Sequence, residues 1–356
     1  MQRTVLIMAG GHGERFWPSS RKSLPKQFLC LTDESRTMIQ LTVDRVRLFT
    51  DINNVFIATN QDYRTLVAAQ IPDLPLENIL CEPIGRNTAP CIALGAVHIA
   101  KKYGDALMTV LPSDHLIQMP SMFRDTLQEA CDVAEDGDKL VTIGITPDEP
   151  ETGYGYIHFQ PNQRQNRAYR VDRFVEKPDL ETAKKYVASG EYLWNSGMFT
   201  WKVSTILNRL NLLIPDLTPG LCRIQEAIGR DDYDRVLAEA FERFPSVSID
   251  YGVMEKTENI YTLAGTFGWD DVGSWLAVSR IRPTDEDGNT LQGNVITINT
   301  QDTIVQGRKK LIATVGIQDM IVVDTEDAIL ICEKDQAGEI KKLLQRLRER
   351  HMEAYL

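Results

Sequence analysis

Residues suited to phosphate chemistry cluster near the start of the chain. An apolar run from Val5 to Met8 is followed by three glycines and four cations, namely Gly10, Gly11, Gly13, Arg15, Arg21, Lys22 and Lys26. Because glycine has no Cβ, its backbone can come close to a ligand. Successive backbone N–H groups in such a turn bind phosphate oxygens. The order strand, glycine loop, cations therefore suits a nucleoside triphosphate.

This glycine loop does not match the two common phosphate motifs. No Lys-Ser or Lys-Thr follows the glycines at the P-loop spacing, and Phe16 stands where the dinucleotide fingerprint needs its third glycine. A tight turn is the alternative reading of the glycines alone. The four nearby cations favour phosphate binding.

Two further segments carry carboxylates suited to a divalent cation. Asp114 follows the apolar run Leu107 to Leu111, and Asp270 and Asp271 lie just before Gly273. Two separated carboxylates on one Mg²⁺ fit phosphoryl-type chemistry, because the metal neutralises charge that develops on the phosphate. From these residues alone, Asp114 is equally suited to a helix N-cap. The pair Asp270-Asp271 could instead cap a loop. Asp270 could be either a metal ligand or a residue that supports the ligand.

The pattern GG-x-G-x-R-x-W-P followed by P-K-Q resembles the signature of the sugar-nucleotide pyrophosphorylases. Trp17-Pro18 and Pro25-Lys26-Gln27 are similar to the mannose-1-phosphate guanylyltransferase branch of that family. The resemblance implies transfer of GMP from GTP to mannose 1-phosphate, with Mg²⁺ as cofactor and release of pyrophosphate. It also implies that the isomerase domain of two-activity relatives is not expected here.

The resemblance also implies which residues form the site. The expected catalytic residues are Arg15, Lys26 and Lys177. The expected nucleotide-binding residues are Ala9, Gly10, Gly11, Gly13, Glu82, Asn87, Thr88 and Asp114. The expected sugar-binding residues are Gly155, Glu176, Asn195 and Asp250, and the expected Mg²⁺ ligands are Asp114 and Asp271. The role of Lys256 stays open, and Glu176-Lys177 taken alone reads better as an ordinary charge pair at a solvated strand end.

The elements that must position these residues alternate between strands and helices up to about residue 150. This alternation predicts a Rossmann-like α/β fold with a mixed, mostly parallel sheet of the nucleotide-diphospho-sugar transferase type. Its glycine loop then lies at the carboxyl end of the first strand, where ligands bind in such sheets. Tyr169 to Glu176 reads as a strand, and Val203 to Phe244 as several helices.

Past Pro283 the sequence changes to short apolar runs punctuated by Asp, Gly and Asn. This spacing predicts a small β-solenoid-like unit, and the apolar stripe of a last helix, 335–350, predicts that the helix packs on it. We expect a nucleotidyltransferase domain over 1–283, with a nucleotide half at 1–150 and a sugar half at 151–283. A small carboxyl-terminal domain is expected over 288–356, and we expect it to pair two subunits in a homodimer.

Composition narrows the class of protein. The chain has 356 residues, of which 43% are hydrophobic, and a formal net charge of -11. An acidic chain is a poor nucleic-acid binder, so anionic substrates depend on a local cation cluster and a divalent cation. Six cysteines without a C-x-x-C pair argue against a structural zinc site. With no signal peptide and no long apolar span, we expect a cytoplasmic protein without a membrane partner.

Other functions remain open from the sequence. A nucleotidyltransferase for another pair, such as glucose 1-phosphate and UTP, carries the same signature. A metal-dependent glycosyltransferase shares the fold class but does not need the cations of residues 15–26. A non-catalytic binding subunit is expected to lack Lys26 or one of the metal aspartates, and all of them are present.

Overall fold

The apolar run near the start of the chain forms a strand inside the sheet, where its apolar side chains are buried. The computed structural model describes residues 1–11, 13–33 and 35–356. Up to residue 270 the strands are β1 Arg3–Ala9, β2 Val55–Asn60, β3 Ile79–Glu82, β4 Leu107–Pro112, β5 Leu116–Ile117, β6 Leu140–Ile145, β7 Tyr156–Gln165, β8 Ala168–Val175, β9 Tyr192–Lys202, β10 Ile260–Gly265 and β11 Trp269–Asp270. The helices are α1 Met38–Val46, α2 Arg64–Gln70, α3 Thr88–Tyr103, α4 Pro120–Glu135, α5 Leu180–Ser189, α6 Val203–Leu213, α7 Thr218–Ala227, α8 Tyr233–Arg243, α9 Ile249–Gly252, α10 Trp275–Ile281 and α11 Ile340–Glu349.

Nine of these strands form one mixed sheet in the order β3-β2-β1-β4-β9-β6-β10-β8-β7. Strands β1 to β4 pair in parallel, and so do β6 and β10. Strand β9 is antiparallel to β4 and β6, and β8 is antiparallel to β10 and β7. Strands β8 and β9 thus run against the rest of the sheet, which confirms the predicted mixed, mostly parallel arrangement.

Helices pack on this sheet through a continuous apolar core. Strand β4 and helices α3, α6, α7 and α8 contribute buried aliphatic and aromatic side chains to one cluster, while α4 packs in another. Helix α3 crosses β1 so closely that a Cβ on Gly95 would lie 2.6 Å from Leu6. Asn87 caps α3, since its side chain accepts a 2.8 Å hydrogen bond from the Thr88 N–H.

The remaining strands coil into the predicted solenoid. They are β12 Thr290–Gln292, β13 Val295–Ile298, β14 Ile304–Gln306, β15 Ile312–Val315, β16 Met320–Asp324 and β17 Ile329–Glu333. Strands β12, β14 and β16 stack in parallel, β13 stacks on β15, and β17 closes the end antiparallel to β16. The apolar stripe of α11 packs on this coil, with Ile340 and Leu344 buried among its core side chains.

The segment after the glycines shares its core with the solenoid. Phe16, Trp17 and Met38 lie in one cluster with Trp275 and with the inward side chains of β14, β16 and α11. The Phe16 and Trp275 rings meet edge to face at 5.2 Å, and the Trp275 indole N–H donates to the Trp17 carbonyl at 3.1 Å. The phosphate-binding candidates of residues 13–26 therefore depend on carboxyl-terminal residues for their packing.

Two compact units result, each built from separate stretches of chain. The first comprises Met1–Gly10, Val43–Ser113 and Ile117–Trp269, and the second comprises Gly11–Thr42, Asp114–Leu116 and Asp270–Leu356. The domains predicted from the sequence are consecutive stretches, so their boundaries at 150 and 283–288 remain predictions.

Among the described residues, no helix has the length and apolar character needed to cross a lipid bilayer.

Candidate active site

Lys26 is the centre of the polar cluster in the second unit. Pro25 precedes it, and Lys26 begins a short 3-10 helix, Lys26–Phe28. Although it is charged, the residue is only 6% exposed. Its ammonium donates to Asp114 Oδ2 at 2.8 Å and to the Asp271 carbonyl at 2.7 Å. The structure thus brings together three residues that the sequence places far apart.

The contact with Lys26 lowers the pKa of Asp114. Burial alone raises the pKa of Asp114, but the charges of Lys26 and His115 and the hydrogen bond from Lys26 outweigh it. The pKa therefore lies below its usual value, and the group is a carboxylate at neutral pH.

Gly13 makes the position of Lys26 possible. Its φ of 61° is left-handed, a conformation that residues with a Cβ rarely adopt. A Cβ on Gly13 would lie 2.3 Å from the Cβ of Lys26 and 2.9 Å from its backbone nitrogen. By contrast, a Cβ on Gly11 would meet nothing within 4 Å. Of these two glycines, Gly13 is required for local packing.

The neighbouring residues Asp270 and Asp271 make different contacts. Asp270 accepts from the Val272 N–H at 2.7 Å through Oδ1 and from the Arg280 guanidinium at 3.0 and 3.1 Å through Oδ2. Both of its carboxylate oxygens are therefore occupied by the fold. Asp271 presents its carbonyl to Lys26, and the absence of a side chain on Gly273 leaves room for the Asp271 carboxylate. Of the two, Asp271 is the candidate metal ligand.

Two of the predicted phosphate-binding cations have different surroundings. Arg15 donates to the Gly273 carbonyl at 3.3 Å, so it reaches the same loop as Lys26. Arg21 instead pairs with Asp327 at 2.7 Å and also donates to the Tyr355 carbonyl. The Arg21 guanidinium is thus directed to the carboxyl-terminal part of the unit, and its assignment to the phosphate cations stays a prediction.

In the first unit, Glu82 lies at the carboxyl end of β3. A Cβ on Gly10 would lie 3.4 Å from Glu82 Oε2, so the ends of β1 and β3 are close. Glu82 is 5% exposed, and its Oε1 has no hydrogen-bond partner among the described residues. Burial raises the pKa of Glu82 to about 7, while a hydrogen bond with Cys91 opposes the shift. A buried carboxyl oxygen without a partner is costly unless a ligand donates to it.

The other predicted nucleotide residues near Glu82 are partly used by the fold. The Ala9 carbonyl accepts from the Thr59 hydroxyl at 2.9 Å. The Asn87 side-chain oxygen caps α3, and the Thr88 hydroxyl accepts from the Ile249 N–H at 2.8 Å. The Thr88 contact ties the start of α3 to the segment that carries Asp250.

The predicted sugar residues also come together in the first unit. Asn195 donates through its side chain to Asp250 at 2.7 Å and through its N–H to the Gly155 carbonyl at 2.8 Å. A Cβ on Gly155 would lie 2.8 Å from Glu176 Oε2, so the Gly155 backbone and the Glu176 carboxylate are close together. Lys177, which is mostly exposed, pairs with Glu176 at 2.9 Å. Five predicted residues thus form one cluster.

The charges in this cluster affect one another. Burial raises the pKa of Asp250, and the nearby Glu176 adds to the shift, while Asn195 and Lys177 oppose it. Burial also raises the pKa of Glu255, and Asp250 and Glu176 add to that shift. Sequence reasoning missed Glu255, although it lies in the same family-like segment as Asp250. Three carboxyl groups this close offer several acceptors for sugar hydroxyls.

Sequence reasoning also missed an aromatic group in the first unit. Tyr154 contacts Trp194 and Trp269 edge to face, with ring centroids 5.2 and 5.4 Å apart. The Trp194 indole nitrogen is buried without a hydrogen-bond partner among the described residues. Each residue lies inside a motif already noted in the sequence, but spacing alone does not show that the three rings meet.

A metal ion would have few protein ligands here. The described residues contain no group of three or more His, Cys, Asp or Glu side chains able to hold one. Asp114 and Asp271 are brought together through Lys26, and two carboxylates are what a protein commonly gives to Mg²⁺ when substrate phosphates supply other ligands. The residues present therefore fit a substrate-bound Mg²⁺.

Comparison with known proteins identifies the family. The sequence profile of the Nucleotidyl transferase family matches residues 4–288. The chain belongs to the nucleotidyl transferase family. A second profile, the MannoseP isomerase/GMP-like beta-helix domain, matches residues 293–347. The predicted enzyme class, α/β fold and solenoid are therefore confirmed.

Individual relatives of this nucleotidyltransferase cover nearly all of it. A mannose-1-phosphate guanylyltransferase of Salmonella typhimurium is 41% identical over 99% of this chain and 76% of its own length. One from Escherichia coli K12 is 42% identical over 96% of this chain and 73% of its own. A crystal structure from Thermus thermophilus, named mannose-1-phosphate geranyltransferase, is 34% identical, with a TM-score of 0.88, over 98% of this chain and 100% of its own.

We expect Gly13→Ala to destabilise the nucleotidyltransferase, because the new Cβ meets the Lys26 backbone and the left-handed φ is strained. The free energy of unfolding in urea should fall by about 1–3 kcal/mol. Gly11→Ala is the matched control and should change it by less than about 0.5 kcal/mol. Equal effects of the two substitutions would show that the approach of Gly13 to Lys26 does not constrain the loop.

Proposed function

We propose that this chain transfers GMP from GTP to α-D-mannose 1-phosphate, giving GDP-mannose and pyrophosphate. The observation that carries the proposal is the contact of the Lys26 ammonium with both Asp114 and Asp271. It gathers a cation and two aspartates beside a glycine loop, which is the set of groups that a triphosphate with its metal requires. The names of the relatives supply the nucleotide and the sugar.

The reaction needs no nucleophilic side chain. A phosphate oxygen of mannose 1-phosphate attacks the α-phosphorus of GTP, the new P–O bond forms, and the bond to the β-phosphate breaks to release pyrophosphate. Arg15 and Lys26 bind the α-phosphate and the leaving pyrophosphate, and Lys177 orients the attacking phosphate. Glu176, Asn195 and Asp250 hold the sugar hydroxyls. Catalysis then comes from positioning and from charge stabilisation.

We assign Mg²⁺ to Asp114 and Asp271. When bound with the nucleotide, this ion neutralises phosphate charge. Lys26 contacts the carboxylate of Asp114 and the backbone carbonyl of Asp271, so its ammonium lies beside both residues that would hold the ion. The ammonium and a divalent cation together would offset the repulsion of anionic substrates expected from a chain of net charge -11.

Two other functions make different demands on the same residues. Another sugar phosphate or nucleotide, such as glucose 1-phosphate with UTP, would use the same phosphate residues with a different base and sugar pocket. A glycosyltransferase would consume the sugar nucleotide and would not require a cation for leaving pyrophosphate. The buried Lys26 favours nucleotidyl transfer, and it also disfavours a non-catalytic binding subunit.

We expect pyrophosphate release with GTP and mannose 1-phosphate to exceed release with every other pair in a panel of sugar phosphates and nucleotides. Coupled phosphate detection after pyrophosphatase measures the rate. Asp271→Asn should lower kcat by about 100-fold or more, because a metal-facing charge is lost. Faster release from glucose 1-phosphate and UTP would overturn the proposed substrates.

Asp270→Asn is the matched control for Asp271→Asn, because it changes the same functional group one residue away. Asp270 holds Val272 and Arg280, so its loss should lower the melting temperature. The kcat of the folded Asp270→Asn enzyme should stay within about threefold of wild type, an order-of-magnitude expectation for a residue outside the chemistry. An equal fall in kcat for both variants would remove the distinction between ligand and supporting aspartate.

We further propose that Glu82 reads the guanine base. The Watson–Crick edge of guanine presents neighbouring N–H donors, and the Glu82 carboxylate presents two acceptors, one of which lacks a partner among the described residues. Ionised Glu82 accepts these donors, whereas protonated Glu82 loses acceptor capacity. GTP binding should therefore favour the ionised form and lower the pKa of Glu82 from its value of about 7 in the free protein.

We expect the affinity for GTP to fall as the pH drops below about 7, since the proton on Glu82 must then be removed before guanine binds. The slope should approach about tenfold in Kd per pH unit for a single linked proton. Calorimetric titrations of wild type and Glu82→Gln separate this effect from protonation of the nucleotide, which is common to both. Equal pH slopes in the two proteins would exclude Glu82 from base recognition.

We propose that two chains pair through the outer face of the solenoid. Ile296 and Ile298 of β13 and Val315 of β15 are 56%, 56% and 66% exposed. Val315 lines one groove with Ile329 and Ile331 of β17, which are also largely exposed. A cluster of exposed aliphatic side chains is typical of an association surface. A second copy would bring the same apolar surface, as a twofold interface requires.

We expect light scattering to give twice the chain mass of 40.3 kDa for wild type and a single chain mass for Val315→Glu. The charge would be buried without a partner in the dimer. Leu212→Glu is the control, because Leu212 is also exposed (68%) but lies on α6. Wild type that is monomeric at micromolar concentration, or a Val315→Glu dimer, would refute this interface.

A further inference from the structure

Arg21 connects the phosphate-binding loop to the carboxyl-terminal part of the second unit. Its guanidinium contacts three acceptors there, namely Asp327 Oδ1 at 2.7 Å, the Thr325 hydroxyl at 3.4 Å and the Tyr355 carbonyl. The guanidinium also lies over the Trp17 ring, 5.5 Å from its centroid. The planar, five-donor shape of arginine suits such multiple contacts, and a lysine ammonium does not reproduce it.

Neighbouring residues make parallel connections. The Trp17 indole N–H donates to the same Tyr355 carbonyl at 2.7 Å. Glu14 pairs with Arg348 of α11 at 2.5 Å. That ion pair is exposed and contributes little by itself. Together with Arg21, these contacts attach both sides of the 3-10 turn Glu14–Phe16, which contains Arg15, to residues near the end of the chain.

A tight turn transmits the position of Arg21 to Lys26. The backbone N–H and carbonyl of Arg21 exchange two 3.0 Å hydrogen bonds with those of Leu24. Pro25 follows, with φ fixed by its ring, and Lys26 comes next. On the other side, the Ser20 hydroxyl donates to the Gly13 carbonyl at 2.7 Å. A movement of Arg21 therefore displaces the chain that carries Lys26.

We infer that Arg21, held by Asp327 and the Tyr355 carbonyl, is a positioning residue that fixes Arg15 and Lys26 for the reaction. This inference rests on the proposed function, because it takes the loop to bind the phosphates that react. Asp327 is also a positioning residue, because it holds Arg21. Its own negative charge would not attract phosphates. Residues in the carboxyl-terminal part of the second unit thereby contribute to catalysis without touching substrate.

The competing explanation is that Arg21 attracts polyphosphate as one of several cations. The two explanations predict different kinetic effects when the negative charge of Asp327 is removed. Removing an anion should strengthen or leave unchanged the attraction of GTP, so long-range electrostatics predicts an equal or lower KM. Removing a positioning contact should instead lower kcat, because small displacements of oriented groups cost large factors in rate.

The decisive experiment compares Asp327→Asn with Glu326→Gln. Both variants remove one exposed or partly exposed acidic charge from the same turn, but the contact to Arg21 belongs to Asp327. We expect kcat of Asp327→Asn to fall about tenfold with KM for GTP unchanged, whereas long-range electrostatics predicts no fall in kcat. Glu326→Gln should stay within about twofold of wild type, as a surface substitution away from the chemistry does.

Two further measurements keep the result independent of folding and of substrate identity. Hydrogen exchange in the peptide that contains residues 14–24 should become faster in Asp327→Asn and not in Glu326→Gln. Arg21→Lys should behave like Arg21→Ala in kcat, because a point charge cannot make the three contacts.

Each outcome bears on one claim. A lower kcat of Asp327→Asn together with faster hydrogen exchange in residues 14–24 supports the inference. Failure of Arg21→Lys to recover activity supports it as well. Unchanged exchange in Asp327→Asn, or recovery by Arg21→Lys, overturns it. Wild type that releases no pyrophosphate from GTP and mannose 1-phosphate overturns the proposed function instead, and the exchange comparison still decides whether Asp327 positions the loop.

Discussion

The buried ammonium of Lys26 is the contact on which the site depends. A charge that is 6% exposed is stable only with close partners, and Asp114 and the Asp271 carbonyl provide them. Removing one member of such a pair leaves the other buried without compensation. The contact joins three distant stretches of chain, and Gly13 must lack a Cβ because that atom would meet the Cβ and backbone of Lys26.

The hydrophobic core around that contact includes residues from both family matches, so it does not follow the boundary between them. The family matches change between residues 288 and 293. In the structure, Phe16, Trp17 and Met38 share a core with α10, α11 and the solenoid strands. A loop rich in glycine and cations has too few apolar side chains to form a core of its own. Rigid apolar residues contributed by the end of the chain therefore compensate for what the loop lacks.

Much of this was predictable from local pattern. The apolar run of β1, the whole of α3 and the short strands of the solenoid follow directly from periodicity and turn residues. The cluster of Gly155, Glu176, Asn195 and Asp250 was predicted only through resemblance, because its members are separated by long stretches of chain. The contact of Arg21 with Asp327 was not predictable, since a sequence does not show that a cation has an acidic partner 306 residues away. The aromatic contacts of Tyr154 and the proximity of Glu255 to Asp250 depend on tertiary structure in the same way.

The candidate residues of each unit combine carboxyl groups with cations, but the pKa shifts of the carboxyl groups differ between the units. In the first unit, carboxyl groups dominate, and burial raises the pKa of Glu82, Asp250 and Glu255. Such groups suit the hydrogen-bond donors of a base and a sugar but repel phosphates. The second unit places Lys26 and Arg15 on one loop. If phosphates bind there, they compete with Asp114 for an ammonium that is already paired, so part of the attraction in the ground state is offset. Under the proposed function, a cation paired in this way would bind substrate less tightly than a free one, and its attraction would increase where negative charge increases, at the leaving pyrophosphate in the transition state.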